Sequence, residues 1–262
     1  VAVKDAKGVA ARAHARAGGP HAEIVPLEAA KGAAPRPTLY APLQPCNHTG
    51  KTPPCTKAIL AAKVARVVVG CADPNPHVDG GGTAALRAAG IQVDVGVREA
   101  EAKTLIAPWT KYITRGLPHV VLKLALSLDG RIATRTGSSK WVTGRDARAR
   151  VHALRAQADA VAVGINTALA DDPRLNVRAV KGENPIRVVF DTRLRLATHL
   201  RLVTTAREIP TWVLTSMDAE AGPAEELENH GVEIIRVPVG TEGRIDVHTA
   251  AVALAERGIV SL

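Results

Sequence analysis

The stretch "GGPHAE" places an imidazole, His21, two residues before a carboxylate, Glu23. Farther along, "QPCNHTGKTPPC" holds two of the chain's three cysteines, Cys46 and Cys55, with eight residues between them. One imidazole and two thiolates make the three protein ligands of a catalytic zinc site, which keeps its fourth position for water. Glu23 is then left free to move protons. His21, Cys46 and Cys55 therefore read as metal ligands and Glu23 as the acid and base of a hydrolytic centre.

Each part alone is weak. A His-x-Glu pair more often marks a solvated helix start. The "GKT" at Gly50–Thr52 invites a phosphate-loop reading, but that loop needs a glycine five residues before Gly50, where Pro45 stands. The combination is what carries specificity, because its order is that of the zinc-deaminase signature. Enzymes of that class acting on nucleosides and RNA use a tighter C-x-x-C, so the wide cysteine spacing points elsewhere. Cys71, ending an apolar run, reads as a small buried hydrophobe rather than a fourth ligand. His48 reads equally as a substrate contact or a solvated side chain. Gly80–Gly82 reads as a turn.

Regular elements must position these groups. Pro20 opens a helix, "PHAEIVPLEAA", with His21 and Glu23 at its entry; Pro26 inside it costs roughly 3 kcal/mol unless the helix kinks. "PTLYAPL" reads as a strand leading to Cys46, although Pro42 removes a backbone donor from it. "CTKAILAAK" is a helix opened by Pro53-Pro54, with Cys55 at its N-terminus, where the dipole favours a thiolate. A buried strand "VARVVVG", a helix "TAALRAAG" closed by Gly90 and a strand "IQVDVGV" complete a three-layer α/β pattern. Around Thr114–Pro118 the pattern changes. "HVVLKLALSLDG" reads as a long alternating strand, followed by a helix from about Asp146. The strands "ADAVAVG", "IRVVFD", "TWVLTS" and "VEIIRVPV" and a last helix "TAAVALAERGI" come next. The closing "VSL" reads as the beginning of another strand.

With these motifs in place a resemblance emerges. "PHAE", "PCNHTGKTPPC", "VVVGCADPNP" and "LRAAGI" resemble the deaminase half of the bifunctional deaminase–reductases of riboflavin biosynthesis. "LKLALSLDGRIATRTGSSKWVTG", "LRAQADAVAVGINTALADDPRLNVR" and "PIRVVFDTRLRL" resemble the reductase half. The resemblance implies a cytidine-deaminase-like three-layer α/β/α domain over residues 1–116. Over 117–262 it implies a dihydrofolate-reductase-like α/β domain, C-terminally incomplete. The implied activities are zinc-dependent removal of the 2-amino group of 2,5-diamino-6-ribosylamino-4(3H)-pyrimidinone 5′-phosphate, then NADPH-dependent reduction of the ribosyl to the ribityl chain. By the same resemblance Ser139, Arg155, Leu175 and Arg178 hold the phosphorylated substrate, and Ala125, Trp141, Thr167 and Asp171 line the NADPH site. Trp141 is as readily a core residue, and Asp171–Pro173 as readily a helix-ending turn. Pro42-Leu43-Gln44 stand where the family has Thr-Leu-Glu, so Gln44 removes a charge beside the metal. That departure and Pro26 motivate an alternative, a catalytically impaired zinc-binding scaffold.

Bulk properties narrow the partners. A net charge of +9 over 262 residues favours anions. The cations are scattered, however, and 2% aromatic content leaves few rings for base stacking, which sets nucleic acid below a phosphorylated metabolite. A nucleic-acid deaminase is further opposed by the cysteine spacing and the long second domain. No apolar run approaches a membrane span. Three cysteines without a signal peptide point to a reducing cytoplasm. Members of the resembled family often associate, but nothing in this sequence marks a homo-oligomeric interface.

Overall fold

Two sheets organise the chain. The computed structural model describes residues 1–5, 8–11, 21–29, 37–49, 53–75, 81–139 and 141–262. These divide into two compact units, Val1–Arg115 and Gly116–Leu262.

In the first unit, β1 (Ala2–Asp5), β2 (Gly8–Ala11), β3 (Thr38–Leu43), β4 (Arg66–Cys71) and β5 (Gln92–Val95) form a sheet in the order β2-β1-β3-β4-β5. β1 runs antiparallel to both neighbours, while β3, β4 and β5 are parallel. Alternate strand residues face opposite sides. Val67 and Val69 therefore share a core with Leu39, Leu27 of α1 (Ile24–Ala29), Ile59 of α2 (Cys55–Ala61) and Leu86 of α3 (Gly81–Ala88). At Gly70 the missing side chain admits Ala102 of α4 (Glu99–Leu105), and an added methyl would overlap it and the Pro42 carbonyl. Helix α5 (Ala107–Arg115) closes the unit.

Several sequence expectations change here. The β1–β2 hairpin was not among them. α1 begins at Ile24, so Pro26 is its third residue, and the cost of a mid-helix proline does not arise. The first-turn amides have no intrahelical partner to lose. Leu27 N–H is already past Pro26 when it reaches back to the Glu23 carbonyl at 3.4 Å. Pro42 lies beyond the β1 pairing, which covers only Thr38–Tyr40 of β3. Gly81 and Gly82 open α3 rather than forming a turn. Pro20, Gly50–Thr52 and Gly80 lie outside the described residues.

In the second unit, α6 (Arg145–Arg155) precedes four parallel strands, β6 (Ala160–Gly164), β7 (Ile186–Phe190), β8 (Thr211–Ser216) and β9 (Val232–Val237). They pair in sequence order. α7 (Ile165–Asp171), α8 (Arg201–Thr204) and α9 (Ala221–Asn229) make the crossovers. Val189 and Val213 pack with Ala168, Leu202 and Leu227 of these helices. Val188, Leu214 and Ile235 pack instead with Ala250 and Leu254 of α10 (Val247–Glu256), so helices cover both faces.

The long strand expected in "HVVLKLALSLDG" does not form. His119 bridges to Ser261 and Val121 N–H donates to Leu262 O at 2.8 Å, and there the pairing stops. Leu122 and Leu128 are fully exposed, at 79% and 109%. Alternation defines two faces, but a strand exists only where a second backbone takes up its N–H and C=O groups. Among the described residues that backbone is Val260–Leu262. Two of these residues are anchored by Asp159, whose Oδ2 accepts from Val260 N–H, Ser261 N–H and the Ser261 hydroxyl at 2.8–3.0 Å.

Candidate metal centre and ligand sites

The metal centre is assembled where β3 leaves its sheet. Gln44 N–H donates to Cys71 O at 3.0 Å, which carries the chain one step past the strand. The next turn is braced by α3: a methyl on Gly82 would run into the Pro45 carbonyl. Cys46 follows immediately. Cys55 is the first residue of α2, and its N–H donates to Cys46 Sγ at 3.4 Å. Thr56 ties the two segments twice, through its N–H to Cys46 O (3.2 Å) and its hydroxyl to Asn47 Oδ1 (2.7 Å). His21, at the entry to α1, brings Nδ1 to 3.0 Å from Cys55 Sγ and 3.5 Å from Cys46 Sγ.

The three ligand atoms lie within 4.8 Å of one another, and both sulfurs are buried. One imidazole nitrogen and two sulfurs so arranged fit zinc, whose bonds to such atoms run about 2.0–2.3 Å. A hydrogen bond from the Cys55 thiol holds the Cys46 thiol down to about 5 against the opposing effect of burial. The same bond and burial push Cys55 up. A zinc ion would take both sulfurs as thiolates, so its binding would release the proton of the bond that joins them. Glu23, beside them, has its pKa raised by burial, with a backbone hydrogen bond and the nearby His21 charge pulling the other way.

The remaining candidates separate cleanly. Cys71 is buried and donates its thiol to Pro42 O at 3.3 Å, outside the ligand cluster. His48 is exposed. Gln44 is buried with its amide nitrogen towards Gly82, so the neutral side chain is packed into the wall of the site.

In the second unit the structure gathers Arg155, Leu175 and Arg178 around one strap, residues 174–178. Leu175 adopts a left-handed backbone (φ +48) and buries its side chain in the core, leaving its main chain on the strap. Arg155 Nη1 donates to Asn176 O at 2.7 Å, and its buried Nε has no hydrogen-bond partner among the described residues. Arg178 Nη1 donates to Asn176 Oδ1 at 2.9 Å. Burial and the Arg178 charge together lower the Arg155 pKa. A buried guanidinium with a second one beside it marks a place for an anion. Beneath the strap, the fully buried Arg187 of β7 donates to Arg174 O (3.4 Å) and to the carbonyls of Leu202, Thr205 and Ile209 (2.6–3.2 Å). Ser139 is half-buried in the irregular stretch before Trp141.

Of the four residues expected at a nucleotide cofactor, Thr167 alone lines a cavity of about 560 Å³ at the carboxyl ends of β6 and β7. Trp141 is no core residue: it is 72% exposed, with the Arg148 guanidinium 4.4 Å over its ring. Ala125 sits on the unpaired segment. Asp171 is exposed at the end of α7, and its neighbour Asp172 accepts from Arg201 N–H at 2.7 Å. Sequence reading missed the rest of the cavity wall, notably Asn166, Asp191, Thr192, Arg193 and Arg195. The signal was available, since "FDTRLR" follows a buried parallel strand, and ligands of such sheets gather at carboxyl strand ends. Asp191 shapes this turn: its Oδ2 accepts from Leu196 N–H at 2.8 Å, and burial raises its pKa.

Comparison with known proteins follows the same division. A family model of the cytidine and deoxycytidylate deaminase zinc-binding region matches residues 1–71, and one of the RibD C-terminal domain matches residues 118–262. The chain is 46% identical over 236 residues to riboflavin biosynthesis protein RibD of Aquifex aeolicus, covering 90% of this chain and 65% of that protein. Against RibD of Actinobacillus pleuropneumoniae it is 38% identical over 262 residues, covering 100% and 69%. The chain thus spans about two thirds of the length of these curated relatives. A solved diaminohydroxyphosphoribosylaminopyrimidine deaminase/5-amino-6-(5-phosphoribosylamino)uracil reductase from Thermotoga maritima superposes with a TM-score of 0.82 at 37% identity, covering 99% of this chain and 71% of that one. Acinetobacter baumannii RibD superposes with a TM-score of 0.79 at 36% identity, covering 98% and 70%. A cytidine-deaminase-like zinc-binding region and a RibD reductase domain occur here in one chain, in the order of those relatives: the chain belongs to the RibD family of riboflavin biosynthesis proteins.

Proposed function

We propose that this chain carries both activities of a bifunctional riboflavin-biosynthesis enzyme, the first unit a deaminase and the second a reductase. The substrate is 2,5-diamino-6-ribosylamino-4(3H)-pyrimidinone 5′-phosphate. Its 2-amino group is removed by hydrolysis, and the ribosyl chain of the product is then reduced to ribityl with NADPH. The observation that carries the reading is the convergence of His21, Cys46 and Cys55 within 4.8 Å, with Glu23 two residues from one ligand.

Zinc held by these three groups supplies Lewis acidity that makes water nucleophilic at neutral pH. Glu23 takes a proton from the attacking water on its carboxylate, delivers it to the ring nitrogen, and transfers the second to the departing amine. The Cys55 N–H and the Thr56 ties hold the ligands in place, and Gly82 keeps the Cys46 turn where it is needed.

In the second unit Arg155 and Arg178 hold the substrate phosphate, for which a planar guanidinium is a two-pronged donor. Thr167, Thr192, Arg193 and Arg195 fit the phosphate-bearing part of the dinucleotide, and Ile165, Phe190 and Ile245 supply apolar walls. NADPH, when bound, supplies the hydride. Three free cysteines agree with a reducing compartment and a cytoplasmic location. Among the described residues no helix is long and apolar enough to cross a membrane.

The test is ammonia release from the pyrimidine substrate by the zinc-loaded protein and by Glu23→Gln. Release should fall by about 10²–10⁴-fold in the variant while zinc content stays stoichiometric. A zinc-loaded wild type that releases no ammonia would return the chain to the scaffold reading.

A further inference from the structure

His152 is buried, at 7% exposure, on the same face of α6 as Arg155, one turn earlier. Its Nδ1 lies 3.4 Å from Arg178 N, in line to accept that amide's proton. Accepting there requires a lone pair on Nδ1, and so a neutral imidazole carrying its proton on Nε2. The last turn of α6 therefore grips the strap at two points. Arg155 donates to the Asn176 carbonyl, and His152 accepts from the Arg178 amide. Asn184 adds a third, its Oδ1 accepting from Val177 N–H at 2.8 Å.

The charges that act on the imidazole are both cationic, Arg155 from its own helix and Arg178 from the strap. Arg148, one turn earlier, is directed away to the Thr143 carbonyl and the Trp141 ring. Burial and the two guanidiniums hold the imidazole below its ordinary value of 6.5, with a hydrogen bond to the Asn176 backbone opposing them. Protonation would set a donor on Nδ1 against the donor of Arg178 and add a third positive charge to the cluster.

We propose that His152 is the positioning residue of the sugar-phosphate site: its neutral imidazole fixes the Arg178 main chain, and its protonation releases the strap. This rests on the reading of Arg155 and Arg178 as the phosphate-holding pair. Because the folded pKa lies below the ordinary one, the grip is complete above about pH 6.5 and is lost as pH falls through the folded value.

The experiment is calorimetric titration of the protein with ribose 5-phosphate at about pH 8 and about pH 5, on either side of the ordinary imidazole pKa. The variants are His152→Leu, His152→Gln and Arg178→Met, each checked by circular dichroism. At about pH 8, His152→Leu should bind roughly three- to tenfold more weakly, the effect of one buried hydrogen bond. His152→Gln keeps an acceptor but cannot titrate, and should stay within about twofold of wild type. The ligand's own phosphate protonates near pH 6 in every sample, so the diagnostic quantity is the ratio of wild type to His152→Gln. That ratio should fall at least about threefold at acid pH. A ratio that does not change with pH, or a leucine variant that binds like wild type, overturns the proposal. Arg178→Met separates the two levels. If it weakens binding while the His152 variants do not, the positioning role alone fails. If it binds normally, the phosphate reading fails and takes this inference with it.

Discussion

The metal centre and the strap over α6 are built in opposite ways. At the metal centre three side chains converge, and main-chain groups brace them: the Cys55 amide on Cys46 Sγ, and the Pro45 carbonyl against Gly82. On the strap the roles are exchanged. Main chain at Arg174, Asn176 and Arg178 is what is held, and side chains hold it, Arg155 and His152 from the helix and Arg187 from the sheet. The first kind of site depends on residue identity at a few positions. The second depends on the path of the backbone, which several residue combinations can support.

Substitutions should expose this difference. The largest effect is expected from Cys55→Ser, which keeps size and shape but removes a soft ligand. Zinc affinity should fall by more than about a hundredfold, beyond what a bracing residue usually costs, as read by metal competition with a chromogenic chelator. Retention of stoichiometric zinc would break the contrast at its strongest point. Next comes Arg187→Met, which removes a buried donor shared by the carbonyls of Leu202, Thr205 and Ile209 and the Thr205 hydroxyl, only some of which keep a second partner such as the Thr211 hydroxyl. Urea denaturation should show a loss of about 3 kcal/mol or more. A near-neutral result would mean that the strap does not need its support from the sheet. The smallest effect is expected from Leu175→Met, a swap of similar volume in a core slot, which should cost less than about 1.5 kcal/mol by the same measurement. A larger loss would show that the Leu175 side chain does more than fill that slot.

The same contrast explains what could be read in the sequence. His21, Cys46 and Cys55 declare themselves because few residue types can bind zinc, and their order is constrained. Val67–Val69 and Val188–Val189 declare buried strands because an apolar run of that length has few other uses. The supporting roles of His152 and Asp191 were invisible, even though the place of Asp191 at a carboxyl strand end could be read. One supports an amide from beneath and the other folds a turn, and neither task has a signature in residue spacing. Pro26 misled because its meaning depends on where the helix begins, and the Ile24 start moves it from a costly position to a harmless one. The segment from Val120 to Leu128 misled for a different reason. Its alternation is genuine strand grammar, but pairing is a property of two segments, and the text of one does not contain the other.

The tie between Asp159 and Ser261 bears on how the second unit is made. The four strands pair with their successors in sequence, so each can join as soon as it and its predecessor exist. The Asp159–Ser261 hydrogen bonds, by contrast, close a loop 102 residues long. Long closures add little to equilibrium cost but slow assembly, because the ends must meet before any contact rewards them. Synthesis from the N-terminus would therefore lay down β6 to β9 in turn while His119–Val121 still waits for Val260–Leu262. A ribosome pausing before Val260 would hold β6 to β9 already paired with the apolar segment from His119 still lacking these bonds, an interval in which a chaperone would have work to do.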